Sequence, residues 1–267
     1  MPHAKRRLGQ HFLSDPRLLA KIADALGAGP DDTVLEIGPG AGGLTAPLAA
    51  RAGRLIAIEK DRDLIAALRT RFPTVDVIEA DALEVDWHGL TPSHGADLLV
   101  TGNIPYNITS PLIDKAMQPP RPRRTVFLVQ KEVAERVTAL PGTREYGALS
   151  IGVQAVAQAE RLFTVPAGAF TPRPKVDSAV LRLTPLDHPL VSDAERESFR
   201  AVVVGLFGFR RKQLLRALRE LTGWSAEVAA GVLQRAGLPE TVRPEVLSPA
   251  EFVRLHRTLV DGGWSMR

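Results

Sequence analysis

The sequence predicts an α/β domain built on a parallel sheet and followed by a small helical domain. Up to about Leu186, short apolar runs with strand character alternate with helix-patterned stretches. This alternation favours a parallel sheet covered by helices on both faces. From about Val191 onward the chain carries helical periodicity and no clear strand. We therefore expect two domains, residues 1–187 and residues 188–267.

Five runs are expected to form the parallel strands, at residues 33–37, 55–58, 75–78, 97–100 and 125–129. The helical pattern between the second and third of them is clearest at residues 63–68. Two later runs, residues 150–156 and 178–183, could add strands at one edge of the sheet.

Three helix starts are visible in the C-terminal domain. Ser192 and Ser248 each precede a glutamate three positions on, which is typical of a capping box. A further helix is expected to begin at residues 224–227. No exposed apolar heptad pattern is evident, so a monomer is expected.

Composition excludes several classes of protein. The chain has 267 residues, of which 45% are apolar and 24% charged, as is ordinary for a globular protein. It contains no cysteine, which excludes disulfides, thiolate catalysis and cysteine-bound zinc. No run approaches the roughly 20 apolar residues of a membrane span, and none of signal-peptide length follows the N-terminus. The histidines lack metal-ligand spacing. We expect a cytoplasmic protein without a bound metal or a membrane partner.

The charge balance permits nucleic-acid binding. The formal net charge is +4 and the isoelectric point about 9.7. Basic residues cluster in three short runs, at residues 5–7, 121–124 and 210–212. Such clusters can neutralise phosphates.

A glycine turn follows the first predicted strand. Gly38, Gly40 and Gly43 precede a helical stretch, and glycine suits backbone that turns tightly against a ligand. Glu59 ends the second strand, where its carboxylate can bind both hydroxyls of a ribose. The spacing also satisfies the dinucleotide fingerprint, so the turn alone fits NAD, S-adenosylmethionine or no ligand.

Two acidic positions bear on that choice. Glu36 stands just before the turn, where it would repel a diphosphate but attract a sulfonium and an ammonium. Asp81 and Ala82 follow the third strand, and Asp81 can accept a hydrogen bond from the adenine amine of a cofactor. Taken alone, Asp81 fits a turn-forming aspartate equally well. Glu36 favours S-adenosylmethionine.

The segment Asn103-Ile104-Pro105-Tyr106 predicts a pocket for a base. Asn103 follows the fourth strand, at the carboxyl edge of the sheet where ligands bind. Its side-chain oxygen can accept from an adenine amine, carbonyls of the rigid turn add acceptors, and Tyr106 can stack on the base. The alternative is a surface turn with a packed tyrosine. The glycine turn favours the base pocket.

Two basic segments are candidate RNA contacts. Phe170 begins a stiff loop and could cover the second face of the base, while Arg173 and Lys175 could meet phosphates. A proline-ordered connector is an equally good explanation of this loop. The RNA candidates in the C-terminal domain are Arg210, Arg211 and Lys212. Their alternative is a solvated helix face.

Taken together, these motifs resemble the adenine dimethyltransferases that modify small-subunit ribosomal RNA. The likeness covers nearly the whole chain. The family-like segments are residues 9–13, 36–45, 103–108, 130–136, 146–148, 170–178 and 209–212.

The resemblance implies a fold, a reaction and a partner. The fold is a Rossmann-like class I methyltransferase domain that depends on S-adenosylmethionine, with a small all-helical C-terminal domain that binds RNA or the ribosome. Residues 1–14 would close over the cofactor. The reaction would dimethylate the exocyclic amines of two adjacent adenines in the 3′-terminal hairpin loop of 16S rRNA. The partner would be an immature small ribosomal subunit.

Residue roles follow from the matching positions. The expected catalytic set is Asn103, Pro105, Tyr106 and Phe170. The expected cofactor set is His11, Leu13, Glu36, Gly38, Gly40, Glu59, Asp81, Ala82 and Asn103. Two departures concern position 11, where many relatives have asparagine, and the segment Gln213-Leu214, where relatives often have threonine and asparagine.

Three other functions remain open at this point. A large-subunit rRNA methyltransferase of the macrolide-resistance type would share the glycine turn and the Asn103 motif. An NAD-dependent oxidoreductase would leave the Asn103 motif without a role. A non-catalytic ribosome-assembly factor could use the same surface.

The expected chemistry is displacement of a sulfonium methyl by an adenine amine. Hydrogen bonds from the amine to Asn103 and to a carbonyl near Pro105 would favour a pyramidal nitrogen and aim its lone pair. Positioning and electrostatics should supply most of the rate acceleration. The methylated ammonium is acidic, so no strong general base is needed. The target base must be unpaired or flipped.

Overall fold

The chain separates into two compact units. The computed structural model describes residue 5, residues 8–90 and residues 98–265. The first unit comprises the chain up to Ala134 together with Ala159–Pro185, and the second comprises Glu135–Gln158 together with the chain from Leu186. The later boundary lies close to the expected one at residue 187. Residues 135–158, which we expected in the first domain, belong to the second unit instead.

A seven-stranded sheet forms the centre of the first unit in the described part of the chain. The strands described, seven in this sheet and two (β1 and β8) in a second one, are β1 (Phe12–Leu13), β2 (Thr33–Ile37), β3 (Arg54–Glu59), β4 (Asp76–Glu79), β5 (Leu98–Asn103), β6 (Arg124–Gln130), β7 (Ala157–Val165), β8 (Phe170–Thr171) and β9 (Ser178–Pro185). The order across the large sheet is β4-β3-β2-β5-β6-β9-β7.

The five predicted parallel strands are confirmed as β2 to β6, although Asp97 lies outside the described residues. β3 and β5 both pair in parallel with β2, and β9 pairs antiparallel with β6. The chain therefore moves outward from β2 through β3 and β4, and then crosses to β5 on the other side. Such a switch point opens a crevice at the carboxyl ends of the strands.

Helices cover this sheet, and α1 shows why they form. The first unit contains α1 (Pro16–Leu26), α2 (Thr45–Ala49), α3 (Arg62–Arg71) and α4 (Thr109–Ala116), and its boundary with the second unit falls within α5 (Lys131–Val137). Asp15 caps α1 by accepting hydrogen bonds from the N–H groups of Arg17 and Leu18. The apolar positions Leu19, Ile22, Ala23 and Leu26 recur at helical spacing and are buried.

A second, two-stranded sheet joins the start of the chain to a late loop. β1 pairs antiparallel with β8, with Phe12 opposite Thr171 and Leu13 opposite Phe170. The side chains of Leu13 and Phe170 are both buried in the hydrophobic core of the first unit. This pairing holds residues 8–13, which we call the N-terminal cover, against the body of the unit.

The second unit is helical, as expected. Its helices are α6 (Ala148–Gln154), α7 (Arg196–Gly208), α8 (Leu214–Thr222), α9 (Ala226–Arg235) and α10 (Pro249–Asp261). The two predicted capping boxes, at Ser192 and Ser248, are confirmed. Ser225 caps α9 and confirms the third predicted helix start.

Aromatic packing explains why residues 135–158 belong with these helices. Tyr146 is fully buried and donates a hydrogen bond of 2.8 Å from its hydroxyl to the Leu247 carbonyl. Its ring meets Phe207 edge-on, and Phe207 stacks on Phe252. Removing this tyrosine would leave both a cavity and an unpaired carbonyl in the core of the second unit.

One predicted strand is wrong. Residues 150–156 lie mostly in α6, not in a strand at the sheet edge. Ile151 and Val153 are β-branched and favour a strand, but the helix buries both of them. The Ser150 hydroxyl also accepts the N–H of Gly147 at the helix start. Across the described ranges, no helix is long and apolar enough to cross a membrane.

Candidate active site

Three neighbouring strands end at the candidate site. β3, β2 and β5 lie side by side, with Ile37 opposite Ile58 on one flank and Gly102 on the other. Glu59 and Asn103 are each the next residue, so they flank the first glycine of the turn. The structure therefore brings Glu59, Gly38 and Asn103 together at the carboxyl edge of the sheet, and all three line one pocket.

The turn needs glycine because of its backbone and its neighbours. Gly38 and Gly40 have φ of 65° and 59°, in the left-handed region that disfavours other residues. A Cβ on Gly40 would lie 2.9 Å from the ring of Phe12. The turn is therefore shaped for close approach, both by the N-terminal cover and by a ligand.

Glu59 is held by the turn. It is buried, and its carboxylate accepts N–H groups from Gly40 at 2.9 Å and from Asp61 at 2.8 Å. Burial raises the pKa of Glu59, while these two N–H groups oppose the rise. Each oxygen has a second lone pair, so the carboxylate can still accept the hydroxyls of a ribose.

Glu36 is the unsatisfied acid of the site. It is 1% exposed, lines the pocket, and its Oε2 has no hydrogen-bond partner among the described residues. Burial raises the pKa of Glu36 to about 8, and the charge of Glu59 adds to the rise. A buried carboxyl with one unpaired oxygen fits a cationic ligand, which would restore its charge. The residues present therefore fit the sulfonium and ammonium of S-adenosylmethionine.

Asp81 is more engaged than expected. Its Oδ2 lies 2.6 Å from Nζ of Lys60, and its Oδ1 accepts the N–H of Leu83 at 2.9 Å. The hydrogen bond from Lys60 is the main reason why the pKa of Asp81 is lowered. Ala82 is buried beside it and also lines the pocket. Asp81 is thus ionised and ordered, with lone pairs left for one further donor.

The Asn103 turn presents two acceptors. The Asn103 amide nitrogen donates to the His11 carbonyl at 2.7 Å, which leaves its oxygen unoccupied. The Pro105 carbonyl already accepts from Ile108 and Thr109. The carbonyl of Ile104, in contrast, accepts no hydrogen bond from any residue that the structure describes. The acceptor expected near Pro105 is therefore the Ile104 carbonyl.

Tyr106 is fixed at two points. Its hydroxyl lies 2.9 Å from Oγ of Ser178, and its ring stacks on His11 with centroids 5.7 Å apart. Burial raises the pKa of the Tyr106 hydroxyl, so it stays protonated. A ring held in this way offers a rigid platform for a flat base.

The N-terminal cover completes the pocket. Residues 8–13 all line it, including the predicted contacts His11 and Leu13. Gln10 donates to Asp61, which also forms an ion pair with Lys5. The rest of the basic run at residues 5–7, and residues 1–4 of the predicted closing segment, lie outside the described residues.

Phe170 differs from its expected position. We expected its ring over one face of the base, but it is only 4% exposed and does not line the pocket. The pairing of β8 with β1 directs it into the hydrophobic core beside Leu13. From the hydrophobic core, Phe170 therefore supports the N-terminal cover. Arg173 and Lys175, in the loop that follows, are exposed as expected for phosphate contacts.

The basic run at residues 210–212 is only partly available to a ligand. Arg210 pairs with Glu245 and donates to the carbonyls of Thr143 and Arg144. Lys212 pairs with Glu220. Arg211 is exposed, with no ion pair among the described residues. The structure thus makes Arg211 the accessible cation of the three.

Several residues of the site were missed from the sequence. Lys60 and Ser178 contact predicted residues, and Asp61 anchors the cover. Ser178 is the last residue of the family-like segment 170–178, and that membership could have identified it as a site residue. Lys60 and Asp61 follow Glu59 directly, so their place beside the pocket could have been inferred from the end of β3.

Comparison with known proteins places the chain in a family. Residues 1–257 match the family described as Ribosomal RNA adenine dimethylase. Over 263 residues the chain is 42% identical to the Ribosomal RNA small subunit methyltransferase A of Bordetella avium, covering 97% of each chain. It is 44% identical over 262 residues to the protein of that name from Nitratidesulfovibrio vulgaris (strain Hildenborough), covering 95% of this chain and 96% of the relative.

Two solved structures are similar over most of their length. A dimethyladenosine transferase from Plasmodium falciparum matches with a TM-score of 0.82 and 27% identity, covering 95% of this chain and 98% of that one. The 23S rRNA methyltransferase ErmE matches with a TM-score of 0.73 and 29% identity, covering 93% and 99%. A dimethyladenosine transferase and a 23S rRNA methyltransferase therefore have folds similar to that of this chain.

Proposed function

Because the chain belongs to the ribosomal RNA adenine dimethylase family, we propose that it methylates the exocyclic amines of two adjacent adenines in 16S rRNA. S-adenosylmethionine is the methyl donor, dimethyladenosines are the products, and the site is the 3′-terminal hairpin loop. The substrate is an immature small subunit, and the enzyme acts as a cytoplasmic monomer. The reaction belongs to small-subunit biogenesis.

The pair of acceptors at the Asn103 turn carries this proposal. An exocyclic amine has two N–H groups, and the oxygen of Asn103 and the carbonyl of Ile104 accept one each. Two such hydrogen bonds hold the nitrogen pyramidal and aim its lone pair toward the glycine turn, where Gly38 follows β2 and Glu59 ends β3. An acid at position 103 is not needed, because the methylated ammonium loses its proton readily.

The cofactor supplies an electrophilic methyl group when it is bound. Glu59 would hold the ribose hydroxyls, Asp81 would accept from the adenine amine, and Glu36 would meet the positive charge. Gly40 lets the backbone approach closely, since a side chain there would collide with Phe12. Burial of Glu36 and Glu59 strengthens these contacts by excluding water.

A second methyl transfer requires one acceptor to be released. The monomethylated amine has a single N–H, so it can satisfy Asn103 or Ile104 but not both. The ring of Tyr106, fixed at its hydroxyl, keeps the base in plane for both transfers. We expect the second transfer to be the slower one.

Relatives favour the small subunit as the substrate. Proteins named Ribosomal RNA small subunit methyltransferase A are 42–44% identical over 95–97% of this chain, whereas ErmE is 29% identical. Arg173, Lys175 and Arg211 are the proposed phosphate contacts, because all three side chains are exposed. The likeness to ErmE keeps a large-subunit substrate as the second candidate.

The test is transfer of labelled methyl groups from S-adenosylmethionine to unmethylated small subunits, with large subunits in parallel. Products are digested to nucleosides. Dimethyladenosine from small subunits alone is the expected result. Label in large subunits alone would reassign the substrate. Binding of small subunits with no label in either would instead support a non-catalytic assembly factor.

A further inference from the structure

The N-terminal cover holds Asn103 in one orientation. The amide nitrogen of Asn103 lies 2.7 Å from the main-chain carbonyl of His11. A carbonyl can only accept, so the nitrogen of the amide must face His11 and its oxygen must face away. Were the cover absent, the amide could rotate and present a donor to the base, which would repel an amine. The cover therefore determines which atom Asn103 offers.

The imidazole of His11 is itself held in place. Its Nδ1 lies 2.7 Å from the carbonyl of Pro172, and since that carbonyl only accepts, Nδ1 carries a proton. The ring stacks on Tyr106 at an interplanar angle of 30°. On the far side of Tyr106, the hydroxyl reaches Ser178, which is 1% exposed. One imidazole thus connects the late loop, the cover and the Asn103 turn.

We propose that His11 is a positioning residue for the Asn103 turn, so that closing the N-terminal cover over the cofactor also sets the base pocket. The main chain of His11 orients Asn103, and its ring supports one face of Tyr106 and leaves the other to the base. This inference deepens the proposed function and rests on it. It differs from the role expected from the sequence, in which His11 contacts only the cofactor.

The two roles predict changes in different constants. A residue that only contacts the cofactor lowers cofactor affinity when it is removed and leaves kcat unchanged. A residue that orients Asn103 and Tyr106 lowers kcat at saturating cofactor, because a small misplacement of reacting groups slows the chemical step. The split between kcat and the Kd for S-adenosylmethionine therefore separates the roles.

Three substitutions of His11 separate its contacts. His11→Ala removes both the ring and the donor to Pro172. His11→Asn keeps an N–H donor without a ring, and His11→Phe keeps a ring without a donor. We expect kcat on unmethylated small subunits to fall about 10- to 100-fold in His11→Ala. The Kd for S-adenosylmethionine, measured by calorimetry, should change less than about threefold. The other two variants should lie between His11→Ala and the wild type.

Ser178→Ala gives an independent test that leaves the cover intact. It removes the anchor of the Tyr106 hydroxyl, and kcat should fall by a smaller factor with the cofactor Kd unchanged. This variant keeps the network testable if His11→Ala fails to fold. The inference would be overturned if kcat were unchanged in all three variants, His11→Asn, His11→Phe and Ser178→Ala.

Two other outcomes would also overturn it. A raised cofactor Kd at constant kcat in His11→Ala would make His11 a cofactor contact only. A raised kcat, or a lowered KM for small subunits, would show that the imidazole occupies the place of the base. If the wild-type chain itself forms no dimethyladenosine, the proposed function fails. If the wild type is active and the variants match it, only the inference about His11 fails.

Discussion

The carboxyl edge of the sheet and the basic run at residues 210–212 are both rich in polar groups, but they satisfy those groups differently. At the sheet edge, Glu36 Oε2 and the Ile104 carbonyl accept no hydrogen bond among the described residues. In the basic run, Arg210 and Lys212 have partners within the second unit. Only Arg211 is exposed without an ion pair in the described chain.

This difference separates groups that stabilise the fold from groups that await a ligand. Buried polar atoms are normally paired, so an unpaired acceptor in a pocket costs folding free energy unless water or a ligand pairs with it. Arg210 donates to two carbonyls and a carboxylate, so its hydrogen-bonding groups are used within the protein and not available to a ligand. Residue type alone does not distinguish the two cases.

Glu59→Ala should have the largest effect on cofactor binding. It removes the acceptor for the ribose and leaves the N–H groups of Gly40 and Asp61 without their partner. A loss of about 2–3 kcal/mol corresponds to a Kd for S-adenosylmethionine raised roughly 30- to 150-fold. Glu79→Ala is the matched control, since Glu79 pairs with Glu59 in the sheet but is exposed. Equal affinities in calorimetry would contradict the role of Glu59.

Arg210→Ala and Arg211→Ala should have different consequences. Arg210→Ala loses three interactions within the second unit, so the free energy of unfolding should fall by about 1–2 kcal/mol in urea titrations. Arg211→Ala should leave that free energy unchanged and weaken RNA binding. In filter binding over a range of salt, the slope of log K against log salt should fall by about one. Two variants with the same phenotype would remove the distinction between paired and unpaired cations.

Glu36→Gln should remove a pH dependence of stability. The pKa of Glu36 rises from 4.5 to about 8 on folding of the free protein. The folded chain then keeps a proton that the unfolded chain has lost, so stability falls as pH rises through this window. The slope is at most about 1.4 kcal/mol per pH unit. Urea unfolding between these pH values should give a flatter profile for Glu36→Gln. Parallel profiles would show that the pKa of Glu36 does not rise on folding.

The sequence was sufficient for the parts of the fold that depend on local signals. The strands β2 to β6 and the capped helices follow from hydrophobic period and capping residues. The strand prediction for residues 150–156 was wrong because β-branched residues favour strands. Packing in the second unit selects a helix there instead. The pairing of β1 with β8 involves two residues on each side, far apart in the chain, and no local pattern marks it.

The candidate site likewise has features that the sequence predicts and features that it does not. The ends of β2, β3 and β5 placed Glu36, Glu59 and Asn103 correctly, because a parallel sheet collects strand ends at one edge. What each side chain presents there was not predictable. The orientation of Asn103 depends on a carbonyl of the N-terminal cover, and the burial of Phe170 depends on the register of β8 with β1.

The most direct test of the central claim is dimethyladenosine formation by Asn103→Ala on unmethylated small subunits at saturating S-adenosylmethionine. Bound cofactor is measured in the same samples, and Gln118→Ala, which removes an exposed amide two residues after the end of α4, is the control. We predict that Asn103→Ala binds the cofactor and forms product roughly 100- to 1,000-fold more slowly than the wild type and the control. Formation at the wild-type rate would contradict the assignment of Asn103 as the acceptor that aims the adenine amine.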